Sequence, residues 1–575
     1  MLFKRIEESL RNALEEVHPE LKGSELLVRK CPVVKFGDYQ CNSIMAVTKR
    51  RGGDARRVAS DVAERMSKDK SLCESIEAVG PGFINFRIRI DALESCLNQN
   101  RSSSQCFVER EPEPRTIVVD FSSPNVAKPM HVGHIRSTNL GNCIARILRF
   151  IGHRVVTDNH IGDWGTQFGK LIAGWKTDLN EAALDRDALG EMERLYRKMN
   201  QVCESDRDAL DRARSELLKL QKGDEANREI WQRMIDLSRL QFDELYSRLD
   251  VRFDETLGES FYNDRLNSLV QEIEAEGLAE RSQGALLVFF PDDAELKNHP
   301  AIIQKSDGAA NYATTDLATL EYRSKRWQPS EIIYVTDGRQ QLHFKQLFRI
   351  YRRWKPNDKV RLNHTWFGSI MGKDGKPFKT RSGDVIKLAD LLDEAEQRAR
   401  KIVEEKNAAL EEEQKKAITK IVGIGAIKYA DLLPNRQSDY VFDWDSMLSL
   451  KGNTAPYLQY AYTRTRGIFR KFDGDIEVLR QENEIRLAEP EEVGLAKHLV
   501  NFPLVLQLVI EEYRPNYLCA YLYELAGLLA RFYENCPILK AEAPVRASRL
   551  LLVEQAGTMI REGLGLLGIQ VTDVM

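Results

Sequence analysis

The chain has 575 residues, a net charge of −3, 42% hydrophobic residues and 30% charged residues. That length is several times a single domain of ~100–200 residues, and the composition fits a soluble globular fold rather than a disordered or fibrous one. No global charge announces a nucleic-acid partner, so any such contact must come from local patches.

The nine cysteines contain no CxxC pair, which argues against a zinc ribbon or a redox dithiol. Scattered thiols suit a reducing cytosol, so a cytoplasmic protein is expected. The first residues, "MLFKRIEESLRNALEEV", carry four glutamates and read as an amphipathic helix, not as a signal or transit peptide. The most apolar segment, residues 499–510, is too short to span a bilayer and contains Asn, Pro and Gln, so no membrane association is expected.

Residues 1–112 read as a small α+β unit: a starting helix, a strand in "SELLVRK", a basic then helical stretch, and a strand alternating from Phe83 to Ile90. The Pro/Glu run "EREPEPR" closes it. "TIVVDF" (116–121) reads as a buried strand. A helix follows, with Leu140, Ile144, Ile147 and Ile151 on one face and Gly152 as its C-cap, and then a second strand from His153. Strand, helix, strand is a βαβ unit of a parallel sheet. Residues 178–250 read as a helical insertion striped by Trp231, Ile235, Phe242, Leu245 and Leu249. Further strands are expected in 331–338 and 364–372, and from Leu388 onward the pattern is helical. The expected fold is multidomain α/β plus α. It comprises an N-terminal unit (1–112), a Rossmann-type parallel-sheet domain (113–372), a junction (373–450) and an all-α bundle (451–575).

The stretch "VVDFSSPNVAKPMHVGHIRSTNLGN" (118–142) places Lys128, His131, Gly133 and His134 where a strand gives way to a helix. The unpaired N–H groups of that helix start, and its partial positive charge, face the strand ends where ligands bind in open α/β sheets. Gly133 lacks a side chain, so a flat ligand can approach the backbone. Two imidazoles and a lysine there suit phosphates. A zinc site has no third ligand at metal spacing, and Lys128 would repel the ion. Two ordinary surface histidines remain the plain alternative, but four of the nine histidines (His131, His134, His153, His160) fall within 131–160.

His131-Val132-Gly133-His134 resembles the nucleotide-binding signature of class I aminoacyl-tRNA synthetases. With "NHIGDWGTQFGKLI", "DGAANYATTDLA", "GKPFKTRSGDVIKLADLL", "GNTAPYLQYAYTR" and "LGLLGIQV", the chain resembles the arginyl-tRNA synthetases over almost its whole length. The resemblance implies ATP-dependent ligation of L-arginine to tRNA(Arg) through an arginyl-adenylate, with Mg²⁺ accompanying ATP, no structural metal, and a monomer. It implies catalytic roles for Lys128, His131 and His134, and ATP contacts from these with Gly133. Arginine would be held by Asp120, Ser122, Ser123, Asn125, His134, Tyr312, Asp316 and Gln340, with Glu259 as a third acid. The usual second signature, Lys-Met-Ser-Lys-Ser, is replaced by "KPFKTRSG". Lys376, Lys379 and Arg381 there are either ATP contacts or a basic surface loop.

The resemblance also makes the N-terminal unit a tRNA D-loop contact through Phe83 and Asn85, and the C-terminal bundle an anticodon-binding domain. The segment 451–472 interleaves Tyr457, Tyr460 and Tyr462 with Arg464, Arg466 and Arg470, the residue types that stack on and neutralise single-stranded RNA. Tyr533 and the terminal Met575 complete the tRNA candidates. Rival readings are a class I synthetase for another amino acid, such as cysteine, which would need a paired-Cys metal site, and a non-catalytic RNA-binding protein, which would not need Lys128, His131 and His134 intact.

Overall fold

The computed structural model describes residues 1–51, 53–101, 103–378, 385–406 and 409–575, and the chain divides into two compact units. One comprises Glu111–Glu405 and Glu411–Leu448. Its centre is a four-stranded parallel sheet in the order Arg361–His364, Glu331–Val335, Thr116–Phe121, Arg154–Asp158. The two central strands are mainly apolar and buried along almost their whole length, so in/out alternation has no role there. The helix Val132–Ile151 returns the chain from the first strand to Arg154–Asp158 and ends on Gly152 in the left-handed conformation. The later strand Glu331–Val335 adds on the other side of Thr116–Phe121. The strand order therefore reverses there, which opens a crevice at the C-terminal ends of these two strands.

The expected insertion is present as Glu181–Arg186, Ala188–Ser205, Arg207–Gln221 and Glu225–Arg248. Ile235, Phe242, Leu245 and Leu249 of the expected stripe are buried. A small antiparallel sheet, Glu280–Ser282, Ala285–Val288 and Ala301–Gln304, was not expected from the sequence. Its strands are three or four residues long, below the length at which alternation shows. Its first turn is a Gln283-Gly284 pair at positive φ, the geometry of a tight hairpin. The stretch 364–372 is not one strand: Arg361–His364 ends the main sheet, and Ile370–Met371 pairs with Tyr440–Val441.

Under the crevice lies a buried cation. Asp120 and Asp158 sit opposite one another on adjacent strands, and Arg323 of the helix Tyr312–Trp327 reaches both. Its Nη2 is 2.7 Å from Asp120 Oδ2 and 2.8 Å from Asp158 Oδ2, and its guanidinium lies over the Tyr334 ring.

The other unit joins Met1–Arg110, Lys406–Leu410 and Ser449–Met575. The N-terminal and C-terminal parts, expected as separate domains, share one unit. Lys497 pairs with Asp38 at 2.8 Å, Arg486 with Glu94 at 2.9 Å, and Gln555 Nε2 donates to the Leu97 carbonyl at 2.8 Å. The N-terminal part is a four-stranded antiparallel sheet in the order Val28–Lys30, Tyr39–Cys41, Phe83–Ile88, Cys73–Val79, packed on helices Leu2–Val17 and Ala55–Met66. The C-terminal part contains helices Ala455–Lys471, Pro490–Leu499, Phe502–Glu512, Asn516–Asn535 and Ala543–Leu566. The stretch Pro490–Glu512 is long and apolar enough to cross a membrane, but it is two helices whose apolar residues pack inside the bundle.

Replacing Arg323 by Gln leaves Asp120 and Asp158 facing each other without a cation. Breaking a buried ion pair on one side costs roughly 3–5 kcal/mol. A marked drop in the denaturant midpoint of the sheet-containing unit is expected, and a midpoint equal to the parent's would show that the pairings contribute no stability.

Candidate active site

The loop 122–131 leaves the first strand under strain. Ser122, Ser123 and Ala127 have φ of 74°, 47° and 61°, a region that non-glycine residues rarely enter. Each of these three residues donates its backbone N–H to a side chain. Ser137 Oγ accepts from Ser122 at 2.8 Å, Asn159 Oδ1 from Ser123 at 3.1 Å, and Ser238 Oγ from Ala127 at 3.0 Å. The loop is also paired to residue 162: Val126 N–H donates to the Gly162 carbonyl and Gly162 N–H to the Pro124 carbonyl, both at 3.0 Å.

The loop delivers His131 to the N-cap of the helix Val132–Ile151, and the two histidines cap each other's backbone. His131 Nδ1 accepts from Gly133 N–H at 3.1 Å, and His134 Nδ1 accepts from His131 N–H at 3.0 Å. The rings lie 4.0 Å apart. A ring nitrogen that accepts carries no proton, so in both histidines the proton resides on Nε2. Burial lowers the His131 pKa, with Arg339 and Lys128 adding to the effect. Burial, then His131, lowers that of His134 to about 3. Both rings are therefore neutral near pH 7 and act as N–H donors. The helix N-terminus supplies the local positive field.

Gly133 also serves its neighbour's ring. A Cβ there would lie 2.8 Å from Cε1 of His131, so the missing side chain makes room for His131's own ring. Lys128 is exposed and lies over the Tyr196 ring at 5.1 Å, on an insertion helix. The chain that follows the replaced second signature returns beside the first. Val132 N–H donates to the Ile386 carbonyl and Leu388 N–H to the Met130 carbonyl, both at 2.9 Å. Lys376 is exposed on the preceding turn, and Lys379 and Arg381 lie outside the described residues.

The expected arginine-binding residues separate into two groups. Asp120 is buried, paired with Arg323, and accepts from Ser123 Oγ at 3.1 Å, so its charge is already matched inside the protein. The Ser122 hydroxyl also points inward, to Thr138 Oγ1 at 2.9 Å and the Tyr246 hydroxyl at 2.8 Å. In the ligand-free chain both side chains are therefore engaged internally, with positive φ at 122 turning the Ser122 side chain under the loop. Asn125 is exposed, and Gln340 is exposed in a short turn, Gly338–Gln340, after the strand Glu331–Val335.

The second group forms an acidic cluster. Tyr312 and Asp316 share the first turns of the helix Tyr312–Trp327, and Tyr312 is 66% exposed. Glu259 is half-buried, and among the described residues no donor reaches its carboxyl. Burial, then Asp316 and Asp163, pushes its pKa up to about 8. Gly258 lets the Glu259 segment close onto Asp163, because a Cβ there would come within 2.0 Å of Asp163 Oδ2. Asp163 in turn accepts from Ser260 N–H at 2.8 Å and Ser260 Oγ at 2.7 Å. Contacts thus run from the signature loop through residues 162 and 163 to the Glu259 segment.

Several residues of this site escaped the sequence reading. Arg339 acts on His131 from the end of the neighbouring strand and forms an ion pair with Asp337, Nε to Oδ1 at 2.8 Å. Asn159, Tyr246 and Ser238 hold the loop. Nothing in spacing marks them, because their partners are more than 30 residues away.

The RNA candidates lie in the other unit. Asn85 is 3% exposed and its Oδ1 accepts from Gln40 Nε2 at 2.7 Å. Phe83 is half-buried. In the bundle, a cleft of about 580 Å³ is lined by Tyr460, Arg464, Arg470, Lys471, Tyr533 and Lys540, among others. The Arg464 guanidinium stacks over Tyr533 at 4.4 Å. Tyr457 is half-buried beside Tyr523. Tyr462 is buried, donates to Asp573 at 2.9 Å, and helps fix the terminal segment that ends in Met575.

Residues 94–444 match the family model for class I tRNA synthetases (R), catalytic domain, residues 458–575 a DALR anticodon binding domain, and residues 4–88 an arginyl tRNA synthetase N terminal domain. An arginine–tRNA ligase of Thermosynechococcus vestitus is 44% identical over 581 residues, covering 99% of each chain. The structure of arginyl-tRNA synthetase from Plasmodium falciparum aligns over 100% of this chain and 99% of its own, with a TM-score of 0.84 and 28% identity. That of the Thermus thermophilus enzyme aligns over 100% of both, with a TM-score of 0.83 and 25% identity.

The reciprocal cap makes a spectroscopic prediction. ¹⁵N resonances of His131 and His134 should show an unprotonated Nδ1 and a protonated Nε2 at pH 7, and His134 should stay neutral down to about pH 4. A His134 titration near 6.5 would show that the cap does not form.

Proposed function

From the premise that the chain belongs to the arginyl-tRNA synthetases of class I, enzymes that ligate arginine to tRNA at the expense of ATP, we propose how its own residues divide that work. The observation that carries the proposal is the pairing at one crevice of two Nε2–H donors on a helix N-terminus with the cluster of Tyr312, Asp316 and Glu259.

ATP lies with its phosphates against His131 and His134. Their N–H groups are fixed by the cap before ATP arrives, so they stabilise charge without reorganising. The arginine carboxylate attacks the α-phosphorus, and pyrophosphate leaves with the P–O electron pair. Lys128, at the mouth of the loop, neutralises charge that builds on the leaving group; the exposed Lys376, with Lys379 and Arg381 outside the described residues, adds cations for the phosphates. Mg²⁺ comes with ATP and is held mainly by phosphate oxygens and water. The guanidinium sits against Asp316, Glu259 and the Tyr312 hydroxyl. Ser123, Asn125, His134 and Gln340 line the path of the amino-acid backbone. A ribose hydroxyl of the terminal adenosine of tRNA(Arg) then attacks the carbonyl carbon of the arginyl-adenylate; the new ester bond forms, AMP leaves with the electrons of the broken acyl–phosphate bond, and the hydroxyl proton passes to the departing phosphate. The cleft of Tyr460, Arg464 and Tyr533 suits unpaired anticodon bases, with Tyr457 and Met575 beside it, and Phe83 offers a stacking surface on the N-terminal sheet. A cytosolic, monomeric enzyme fits this reading.

The test is arginine-dependent exchange of pyrophosphate into ATP, measured with and without tRNA. Exchange supported by arginine is expected, and exchange with another amino acid, or none under either condition, would refute the reading. Lys128→Ala should lower the exchange rate by at least ~10-fold, the scale of one charge-assisted contact, and leave tRNA affinity nearly unchanged.

Glu259 adds a linkage. Its pKa is about 8 without ligand. A guanidinium alongside favours the carboxylate and lowers that value, so binding below pH 8 releases a proton. Arginine affinity should rise with pH, by at most ~10-fold per unit, and level off above about pH 8. Calorimetry in buffers of different ionisation enthalpy reads the release directly, and Glu259→Gln should abolish it. Binding that takes up a proton would contradict the assignment.

A further inference from the structure

Asp316 is not held by its own helix. His343, third residue of the helix Gln341–Trp354, places Nε2 2.5 Å from Asp316 Oδ2. A carboxylate only accepts, so the imidazole donates. The same ring meets the Tyr312 ring edge-on, with centroids 5.4 Å apart and an interplanar angle of 65°. One side chain thus touches both members of the Tyr312/Asp316 pair from outside their helix.

The helix start that carries His343 is packed against the sheet. The next residue, Phe344, packs on Tyr334 at 4.9 Å and stacks on His364 at 4.4 Å, and His364 Nε2 lies 2.8 Å from Thr336 Oγ1. This clamps the helix start to the C-terminal end of the strand Glu331–Val335. Among the described residues, Asp316 has no other side-chain partner, so its Oδ1 has no protein donor there.

We propose that His343 is a positioning residue for guanidinium recognition: it holds Asp316 Oδ2 and braces Tyr312, so that Asp316 offers one oriented oxygen to the ligand. This rests on the reading of Tyr312, Asp316 and Glu259 as the guanidinium pocket. A guanidinium is planar and presents its donors in a fixed fork, so it rewards acceptors whose directions are set in advance. A carboxylate free to rotate would accept an ammonium group as readily. His343 therefore acts on affinity and on discrimination against lysine, while ATP, whose phosphates lie at the His131/His134 cap, is untouched.

The experiment is steady-state aminoacylation by the full-length protein carrying His343→Ala, His343→Gln, His343→Phe or Asp316→Asn, with arginine, ATP and tRNA varied in turn. His343→Ala should raise the arginine KM by roughly 10-fold, the scale of one charge-assisted hydrogen bond, with kcat within about 2-fold and the ATP KM unchanged. His343→Gln, whose amide N–H can reach the same oxygen, should recover most of the loss. His343→Phe keeps the ring but not the donor and should behave like His343→Ala. An unchanged arginine KM in His343→Ala, a Gln variant no better than Ala, or losses in kcat and ATP KM that follow a lowered Tm would each overturn the proposal. Asp316→Asn separates the two readings. If it leaves the arginine KM unchanged, the pocket itself is misassigned. If it raises that KM while His343→Ala does not, only the role of His343 falls.

Discussion

The Arg323 guanidinium, enclosed between Asp120 and Asp158, is the constraint from which the catalytic unit is built. Parallel pairing sets these two acids side by side at the ligand end of the central strands. Without a cation they would repel at low dielectric, and the strand ends would separate. Arg323 comes from the helix that also carries Tyr312 and Asp316, so the interaction that stabilises the floor also fixes the helix that presents the acids. An acid on a strand end looks like a substrate ligand from the sequence. Here Asp120 is engaged by Arg323, while Asp316 and Glu259 stand on the surrounding elements.

Strain in the signature loop has a similar logic. Three residues at positive φ cost of order 1–3 kcal/mol each, and nothing local offsets that cost. The compensation comes from the helix Val132–Ile151, from the strand-end residue Asn159, and from the last helix of the insertion through Ser238 and Tyr246. The insertion is therefore a wall of the site: Tyr196 underlies Lys128, and Ser238 accepts from the loop backbone.

This distribution explains what the sequence made legible. The strand Thr116–Phe121, the helix to Ile151 with its Gly152 cap, and the stripe of the insertion follow from local periodicity and from residues that act on their neighbours. So does the position of His131 and His134 at a helix start. Their protonation was not legible, because it depends on which nitrogen each backbone N–H finds. The inward turn of Ser122, the capture of Asp120 and the burial of Asn85 were not legible either. Each is decided by a partner more than 30 residues away, or by a dihedral angle that composition does not reveal. The union of the first ~110 residues with the C-terminal bundle is of the same kind, made by pairs such as Lys497 with Asp38.

The electrostatic division between the two ends of the crevice follows from these placements. A fixed, buried cation at the phosphates would stabilise bound ATP and the transition state alike, which lowers KM without raising kcat. In the proposed arrangement the capping histidines avoid this because they are neutral: Nδ1 is engaged with backbone, and Nε2–H is a directed dipole whose effect would grow as negative charge collected opposite it. Full positive charges stand at the exposed rim, on Lys128 and Arg339, where water screens them until a ligand displaces it. At the other end the need is reversed. A guanidinium keeps one charge throughout the reaction, so the proposed site would gain from fixed acids, and the raised pKa of Glu259 would fall once that cation lay beside it.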